Sequence, residues 1–456
     1  MSDANAQNRL ISLDVFRGLT IAGMVLVNNP GTSPVYWPLD HAAWHGLTPT
    51  DWIFPFFLFI VGASISIALS KYKGGNPTGR EGVSKNVYFK IVSRSVSIYL
   101  CGAAMSVIPF FQFQSTDAPD SLKMLVWLAF AASLLFLLLR NYKVAAALAV
   151  VALLGIVGLN LAGYNVVPYN FGTFRIAGVL QRISVCYLIT SLIFLHTDWK
   201  QQIGISVVLL FFYWLIMTVI PVPGCEVTTI NDKACNLAAY LDRLILTENH
   251  IWRGGKVYDP EGILSTIPAI VTTISGVLTG TWLVNSDRIQ VTGEETSDPS
   301  LVTRYASLNR VSGLFAVGIA LLALGLIWNS YFPMNKALWT SSYVVATTGL
   351  ALLVLGFCYW LIDIKGYRRW AWPFEVFGAN ALALFVFSGI MARMISAYRV
   401  TGADGQLISI GRWTMQNIYL PILQPIDASL AFAISFILLW LFLMWLLYRK
   451  RIYVKV

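Results

Sequence analysis

Two of the chain's four histidines share one short segment, Leu39-Asp40-His41-Ala42-Ala43-Trp44-His45-Gly46-Leu47-Thr48. An imidazole titrates near neutrality, at about 6.5 when unperturbed, so a histidine at the mouth of a helical bundle is suited to general-base work. It is as well suited to bonding a backbone carbonyl at a membrane interface, and spacing does not separate the two readings. A metal centre is the weaker reading. His41 and His45 stand four apart, but the Glu of a zincin motif is missing and no third ligand is evident, so no metal is expected. His196 and His250 fall in separate loops.

Asn28 and Asn29 close the first apolar stretch, just before that segment. An Asn amide there can donate to a developing oxyanion, or it can simply cap the C-terminus of a helix. Asp51 follows Thr48-Pro49-Thr50 and reads as an acid in a first helical turn.

Ionisable residues inside apolar spans are costly and therefore candidates for function. Arg182 is one, about two turns into the stretch Arg175-Ile176-Ala177-Gly178-Val179-Leu180-Gln181-Arg182, and it needs a carboxylate, carbonyls or a bound anion. Arg17 and Arg94 lie nearer the ends of their spans, where arginines reach back to lipid headgroups. Asp259 and Glu261, in Tyr258-Asp259-Pro260-Glu261-Gly262, read either as helix-start acids or as partners of a cationic substrate such as an amino sugar. Asn335, Lys336 and Trp339 stand in a comparable segment, Pro333-Met334-Asn335-Lys336-Ala337-Leu338-Trp339.

The elements that must position these residues are set by composition. The chain is 57% hydrophobic and only 12% charged, with mean hydropathy +0.67. Soluble domains carry about 25% charged residues, so a bilayer is the natural solvent for this chain. Sixteen Trp and twenty Tyr fit aromatic belts at two interfaces. The formal charge of +10 does not point to nucleic acid, because Lys and Arg gather in short loops and no basic, aromatic-interleaved patch exists. There is no Walker A loop, dinucleotide fingerprint or GxSxG elbow, which argues against an ATP-driven machine.

A span needs about 20 largely apolar residues. The pattern predicts an all-α polytopic bundle of about twelve spans, near 16–29, 51–70, 91–110, 121–139, 144–162, 174–195, 202–221, 263–283, 308–328, 339–362, 375–397 and 425–447. The polar segment Met1 to Asn8 has no basic n-region, so the first helix is expected to direct insertion. Lys71, Lys73, Arg80, Lys85 and Lys90 share a loop; so do Arg140 and Lys143. Arg288 and Arg304, then Lys365, Arg368 and Arg369, then Arg449, Lys450, Arg451 and Lys455, follow. All fall on one side when both termini are cytoplasmic, as the positive-inside tendency requires. The other side holds 30–50, the long loop 222–262 and 398–424. Cys225 and Cys235 lie in that long loop and read as an extracytoplasmic disulfide in preference to two unpaired thiols. Cys101, Cys186 and Cys358 read as small apolar residues within spans. The absence of an internal repeat weakens a transporter reading.

Taken in order, several segments resemble heparan-α-glucosaminide N-acetyltransferase and its bacterial relatives. They are Arg9-Leu10-Ile11-Ser12-Leu13-Asp14-Val15-Phe16-Arg17-Gly18, Val27-Asn28, His41-Ala42-Ala43-Trp44-His45-Gly46-Leu47-Thr48 and Gly178-Val179-Leu180-Gln181-Arg182. Pro221-Val222-Pro223-Gly224-Cys225, Tyr240-Leu241-Asp242-Arg243, Asp259-Pro260-Glu261-Gly262, Asn335-Lys336-Ala337-Leu338-Trp339 with Ser342-Tyr343, and Leu447-Tyr448-Arg449-Lys450-Arg451 complete the set.

The resemblance implies a single transmembrane acyltransferase domain over 1–456. It would take acetyl from cytoplasmic acetyl-CoA to the amine of glucosamine, or of an amino-sugar-terminated glycan, on the far side of a bacterial inner membrane, and a homodimer is implied. It makes His41 the catalytic base and Asn28 the active-site asparagine. Asp259, Glu261, Asn335, Lys336, Trp339 and Arg182 become candidates for substrate binding, and Arg17 for CoA phosphates. His45 stands where the human enzyme has Asn and receives no role from the family. Three departures stand out: no counterpart of the large lumenal N-terminal domain, an extra helical pair over 121–162, and Ser388 in place of a histidine of the animal enzyme. Competing readings are an amino-sugar or glycan-fragment carrier without chemistry, and an O-acyltransferase of surface glycans. The pairing of His41 with Asn28 argues for chemistry.

Overall fold

The computed structural model describes residues 10–73, 83–289 and 299–454. Arg9, Arg80, Lys455 and the segment Met1 to Asn8 lie outside the described residues. Within them the chain is built from helices: α1 (Ile11–Asn28), α2 (Ile53–Leu69), α3 (Lys85–Val107), α4 (Asp120–Leu138), α5 (Tyr142–Leu161), α6 (Val179–His196), α7 (Trp199–Val219), α8 (Leu237–Leu246), α9 (Thr266–Ile289), α10 (Pro299–Asn329), α11 (Ser341–Cys358), α12 (Trp372–Ala379) and α13 (Ala381–Ala397). A short antiparallel hairpin, β1 (Arg399–Thr401) with β2 (Leu407–Ser409), then α14 (Ile410–Thr414) and α15 (Pro425–Arg449), complete it.

Ten of the described helices are long and apolar enough to cross a membrane, and the bent pair α12–α13 would make an eleventh. The expected twelve is reduced at α3. That helix has 23 residues, ample length at about 1.5 Å per residue, but Lys85, Lys90 and Arg94 dilute its apolar character. It nonetheless exposes Phe89, Val92, Val96 and Leu100, an apolar stripe at helical spacing that suits contact with lipid. α1 starts at Ile11, five residues before the expected 16, with Asp14 in its first turn pairing with Arg17 at 3.0 Å. The expected span 375–397 is broken at Asn380, whose backbone leaves the helical region (φ −130°, ψ 37°). Its side chain turns instead to the tail, donating to Ile452 O and accepting from Val454 N.

The chain divides into two compact units. The first comprises residues up to Thr20, His41–Tyr99 and Arg175–Gly378. At its centre stand α2, α6, α9 and α11, whose spans are 61–67% buried, while α7 and α10 are only 22% buried and present apolar side chains outward. α2 lies along α9 with no room for a side chain at the crossings. A Cβ on Gly62 would come within 1.9 Å of Thr273 O, and one on Gly276 within 1.8 Å of Phe59 O. Small residues allow such backbone approach, which is how membrane helices pack without a hydrophobic drive between them. Phe16, Phe56, Phe59, Leu314 and Leu355 fill the core beside this contact.

The second unit comprises Ile21–Asp40, Leu100–Phe174 and Ala379–Val456. The expected pair over 121–162 is present as α4 and α5, packed along one another. Ser133 of α4 donates to Ala145 O of α5 at 2.8 Å. α5 is only 17% buried over its span.

Candidate active site

In the first unit, the loop from His41 to Thr48 is held from three sides. Gly46 takes φ +122°, a conformation that L side chains rarely adopt, and its N–H donates to Met334 O at 2.9 Å. Trp44 Nε1 donates to Ile230 O at 2.9 Å, and its ring meets Tyr258 edge-on. His45 Nε2 donates to Asn231 Oδ1 at 2.9 Å, while its Nδ1 accepts from Asn335 Nδ2 at 3.4 Å. Burial keeps the His45 pKa low despite the Asn231 bond. His45 is thus a wedge between two loops. Ile230 and Asn231 belong to the turn closed by the disulfide Cys225–Cys235, so that cross-link braces the histidine loop.

His41 projects from this frame with about half its side chain exposed, and its Nδ1 lies 2.7 Å from Asp51 Oδ1. A carboxylate only accepts, so Nδ1 is the donor and Nε2 of the neutral ring is the basic nitrogen. Asp51 is buried, and its other oxygen accepts from Ala42 N, Thr48 N and Thr48 Oγ1 at 2.9–3.2 Å. Tyr343 of α11 donates to the Asp51 carbonyl at 2.6 Å. A base oriented by a buried acid is the arrangement that activates nucleophiles in acyl transfer. The sequence reading missed this role for Asp51. Its place in a first helical turn, where acids are favoured, explained the residue without reference to His41.

Lys336 completes the cluster. Its Nζ lies 3.1 Å from His41 Nδ1, 3.2 Å from His41 Nε2 and 3.6 Å from Asp51 Oδ1. Burial lowers its pKa below the usual lysine range, against the opposing charges of Asp51 and Glu261. The turn that delivers it is rigid: Asn335 is fully buried, its Oδ1 accepts from Leu338 N and its N–H donates to Thr340 Oγ1. Trp339 adopts φ +52°, an unusual conformation for a bulky residue, held by burial and by its indole N–H on Thr272 Oγ1 at 3.1 Å.

Behind Trp339 lies Arg182, 2% exposed, with its guanidinium 5.0 Å from the indole ring. It donates to Gly262 O at 3.2 Å and to Ser265 Oγ, while its Nε and Nη1 have no hydrogen-bond partner among the described residues. A second charged group adjoins it. Arg175 donates through Nε to Asp259 Oδ2 at 2.9 Å and through Nη2 to Asp259 Oδ1 at 2.5 Å, and also to Glu261. Burial alone would lower the Arg175 pKa, but the Asp259 bond and the two acidic charges outweigh it and raise it. Asp242 accepts from Ile263 N at 2.9 Å and Asp259 N at 3.3 Å, and burial pushes its carboxyl up to about 6. Gly262 is required here, since a Cβ would fall within 2.0 Å of the Asp242 carboxylate. Asp259 and Glu261 therefore face Arg175, a partner the sequence reading did not assign to them.

Of the sequence candidates in the first unit, His41, Lys336, Asn335, Trp339 and Arg182 fall in one connected region. Arg17 stands apart on α1, bonded to Asp14 at 3.0 Å and Ser64 at 2.9 Å. Asn28 is the last residue of α1, in the second unit, and is exposed. Among the described residues no group of His, Cys, Asp and Glu has the makings of a metal site. An apolar groove of about 990 Å³ runs between α7, α9, α10 and α11, lined in part by Trp199, Trp214, Trp282 and Trp328, and includes none of these residues.

Comparison with known proteins agrees with the resemblance drawn from the motifs. The family described as "Heparan-alpha-glucosaminide N-acetyltransferase, catalytic" matches residues 9–168. Heparan-alpha-glucosaminide N-acetyltransferase of Mus musculus is 25% identical over 99% of this chain and 61% of its own length. The Homo sapiens protein of the same name is 25% identical over 98% of this chain and 60% of its own length. The chain thus spans about 60% of the length of the curated relatives it matches. Along nearly its whole length, then, this multi-helix membrane protein is heparan-α-glucosaminide N-acetyltransferase-like in sequence.

Proposed function

We propose that this protein is a transmembrane N-acetyltransferase that takes acetyl from acetyl-CoA on the cytoplasmic side to the amine of glucosamine, or a related amino sugar, on the other side of a bacterial inner membrane. The observation that carries the reading is the His41–Asp51 pair, a half-exposed base oriented by a buried acid. The names of the two relatives support the reaction class.

The chemistry follows from the groups. A protonated amine has no lone pair, so the acceptor must lose a proton before it attacks; His41 takes it. As the nitrogen bonds to the thioester carbon, negative charge builds on the carbonyl oxygen. The resemblance assigns to Asn28 the amide donor for that charge, and such a donor contributes about 3 kcal/mol when well placed. Collapse breaks the C–S bond, the nitrogen sheds its second proton to the departing thiolate, and His41 releases the first to water. Asp51 keeps Nε2 as the basic nitrogen and stabilises the imidazolium. Arg182, whose Nε and Nη1 carry three unpartnered N–H groups among the described residues, lies buried with Asn335 and Trp339 behind Lys336, and the three support the substrate site from within. Asp259 and Glu261 act through Arg175, fixing the turn that Arg182 bonds. Arg17 binds a CoA phosphate from the cytoplasmic end. Both termini are cytoplasmic, the whole chain is one acyltransferase domain, and the working form is a homodimer in lipid.

The test is incubation of the purified protein in nanodiscs with acetyl-CoA and glucosamine. Thiol release matched by N-acetylglucosamine in mass spectra is the expected result. Tight CoA binding without that product would move the acceptor elsewhere, and neither binding nor product would remove the enzymatic reading.

A further inference from the structure

The site contains a primary amine of its own. Lys336 Nζ lies 3.1 and 3.2 Å from the two ring nitrogens of His41, on a turn fixed by the buried Asn335 and the buried Trp339. It is partly buried, with about a quarter of its side chain exposed, so it opens to the same space as His41. The acceptor reaction consumes an amine that has lost its proton beside a base. Lys336 already meets both conditions: a base within hydrogen-bond distance, and burial that lowers its pKa and so raises the share of neutral amine.

We propose that Lys336 is itself an acetyl acceptor, which takes the acetyl group from the thioester donor when no amino sugar occupies the site. The inference rests on the proposed acetyl-transfer reading. In the step, the Lys336 ammonium first gives a proton to His41. The neutral nitrogen then forms a bond to the thioester carbonyl carbon, and the carbon–sulfur bond breaks. The second nitrogen proton passes to the departing thiolate as the amide forms, which frees CoA, and His41 returns the first to water. The products are Nε-acetyl-lysine and a thiol, with no other reactant. An amide does not return the acetyl group under these conditions, so the modified enzyme has lost the cation beside Asp51 and holds an acetamide where the acceptor amine belongs. Amino sugar in the site protects against this loss, because it competes for the same acetyl group.

The test is peptide mass spectrometry of the purified full chain after incubation with acetyl-CoA, with and without glucosamine, following position 336 against the exposed Lys143, Lys365 and Lys450. Acetylation of Lys336 is expected at least about tenfold faster than at the three reference lysines, slowed about 100-fold by His41→Ala. It should fall as glucosamine rises, a readout on the wild-type chain that does not depend on any variant folding. If N-acetylglucosamine forms but Lys336 reacts no faster than the reference lysines, or glucosamine gives no protection, the inference is overturned and the proposed reaction stands. If neither N-acetylglucosamine nor acetylated Lys336 appears, both are overturned together.

Discussion

His41, Asp51 and Lys336 form one charged cluster of the first unit, and Arg175, Asp242, Asp259 and Glu261 form another, linked through Trp339, Arg182 and the Gly262 turn. Each contains cationic and acidic groups with a buried aspartate at its heart. In the first, His41 is half exposed and held through one nitrogen by the buried Asp51, while Lys336 is no more exposed than Arg175 of the second. In the second, the acids are sealed: Asp259 is fully buried and Glu261 nearly so, and Arg175 donates to both. The first arrangement keeps a proton acceptor available to a reactant. The second spends its charges on one another and fixes a turn. Charge inside a membrane protein is thus of two kinds here, and whether the cationic partner is spent wholly on buried acids tells them apart better than the presence of ionisable groups does.

The largest effects test that division directly. Arg175→Ala strands two buried carboxylates and should cost about 3–5 kcal/mol of stability, read as a large fall in melting temperature in detergent. His41→Ala should lower acetyl transfer by about 10²- to 10⁴-fold while leaving the melting temperature within a few degrees of wild type. A His41→Ala protein that melts as early as Arg175→Ala would erase the distinction between the clusters. Next in size is Asp51→Asn, which exchanges an obligate acceptor for an amide that can present a donor to Nδ1. It should reduce kcat about 100-fold with KM nearly unchanged and shift the pH–rate profile. A loss confined to KM would make Asp51 a binding residue and not an orienting one.

The smallest effect concerns Asp242, whose carboxyl is raised from 3.8 to about 6. The folded state then holds its proton more tightly than the unfolded state does. Its contribution to stability is complete below about pH 4 and is lost as pH rises through about 6, a change of at most roughly 3 kcal/mol. Asp242→Asn should flatten the dependence of melting temperature on pH across that window. A slope unchanged by the substitution would place the titrating group elsewhere in the sealed cluster.

Much of the scaffold was legible because the bilayer imposes a length and a composition on each span. Helices α4, α5, α7 and α15 are near-continuous apolar runs, and their bounds lie close to those expected, whereas α10 begins nine residues before the expected 308. The break at Asn380 was not visible, since nothing in the local apolar pattern shows that its amide bonds a tail some 70 residues on. The site divides in the same way. His41 stood out through its motif, and the disulfide through the shared loop of its two cysteines. Asp51 did not stand out, because an acid in a first helical turn is a sufficient local explanation. Arg175 was passed over because its carboxylate partners lie 84 and 86 residues away, and Lys336 meets His41 across 295. Local pattern reports propensity and solvent. It says nothing of which two distant polar groups share a burial.

The most direct test of the central claim is a single-turnover time course of acetyl transfer from acetyl-CoA to glucosamine, comparing wild type with His41→Ala at equal folded protein. Wild type should form N-acetylglucosamine and the variant should do so at a rate at least about 100-fold lower. Equal rates from the two proteins would contradict it and remove His41 from the reaction.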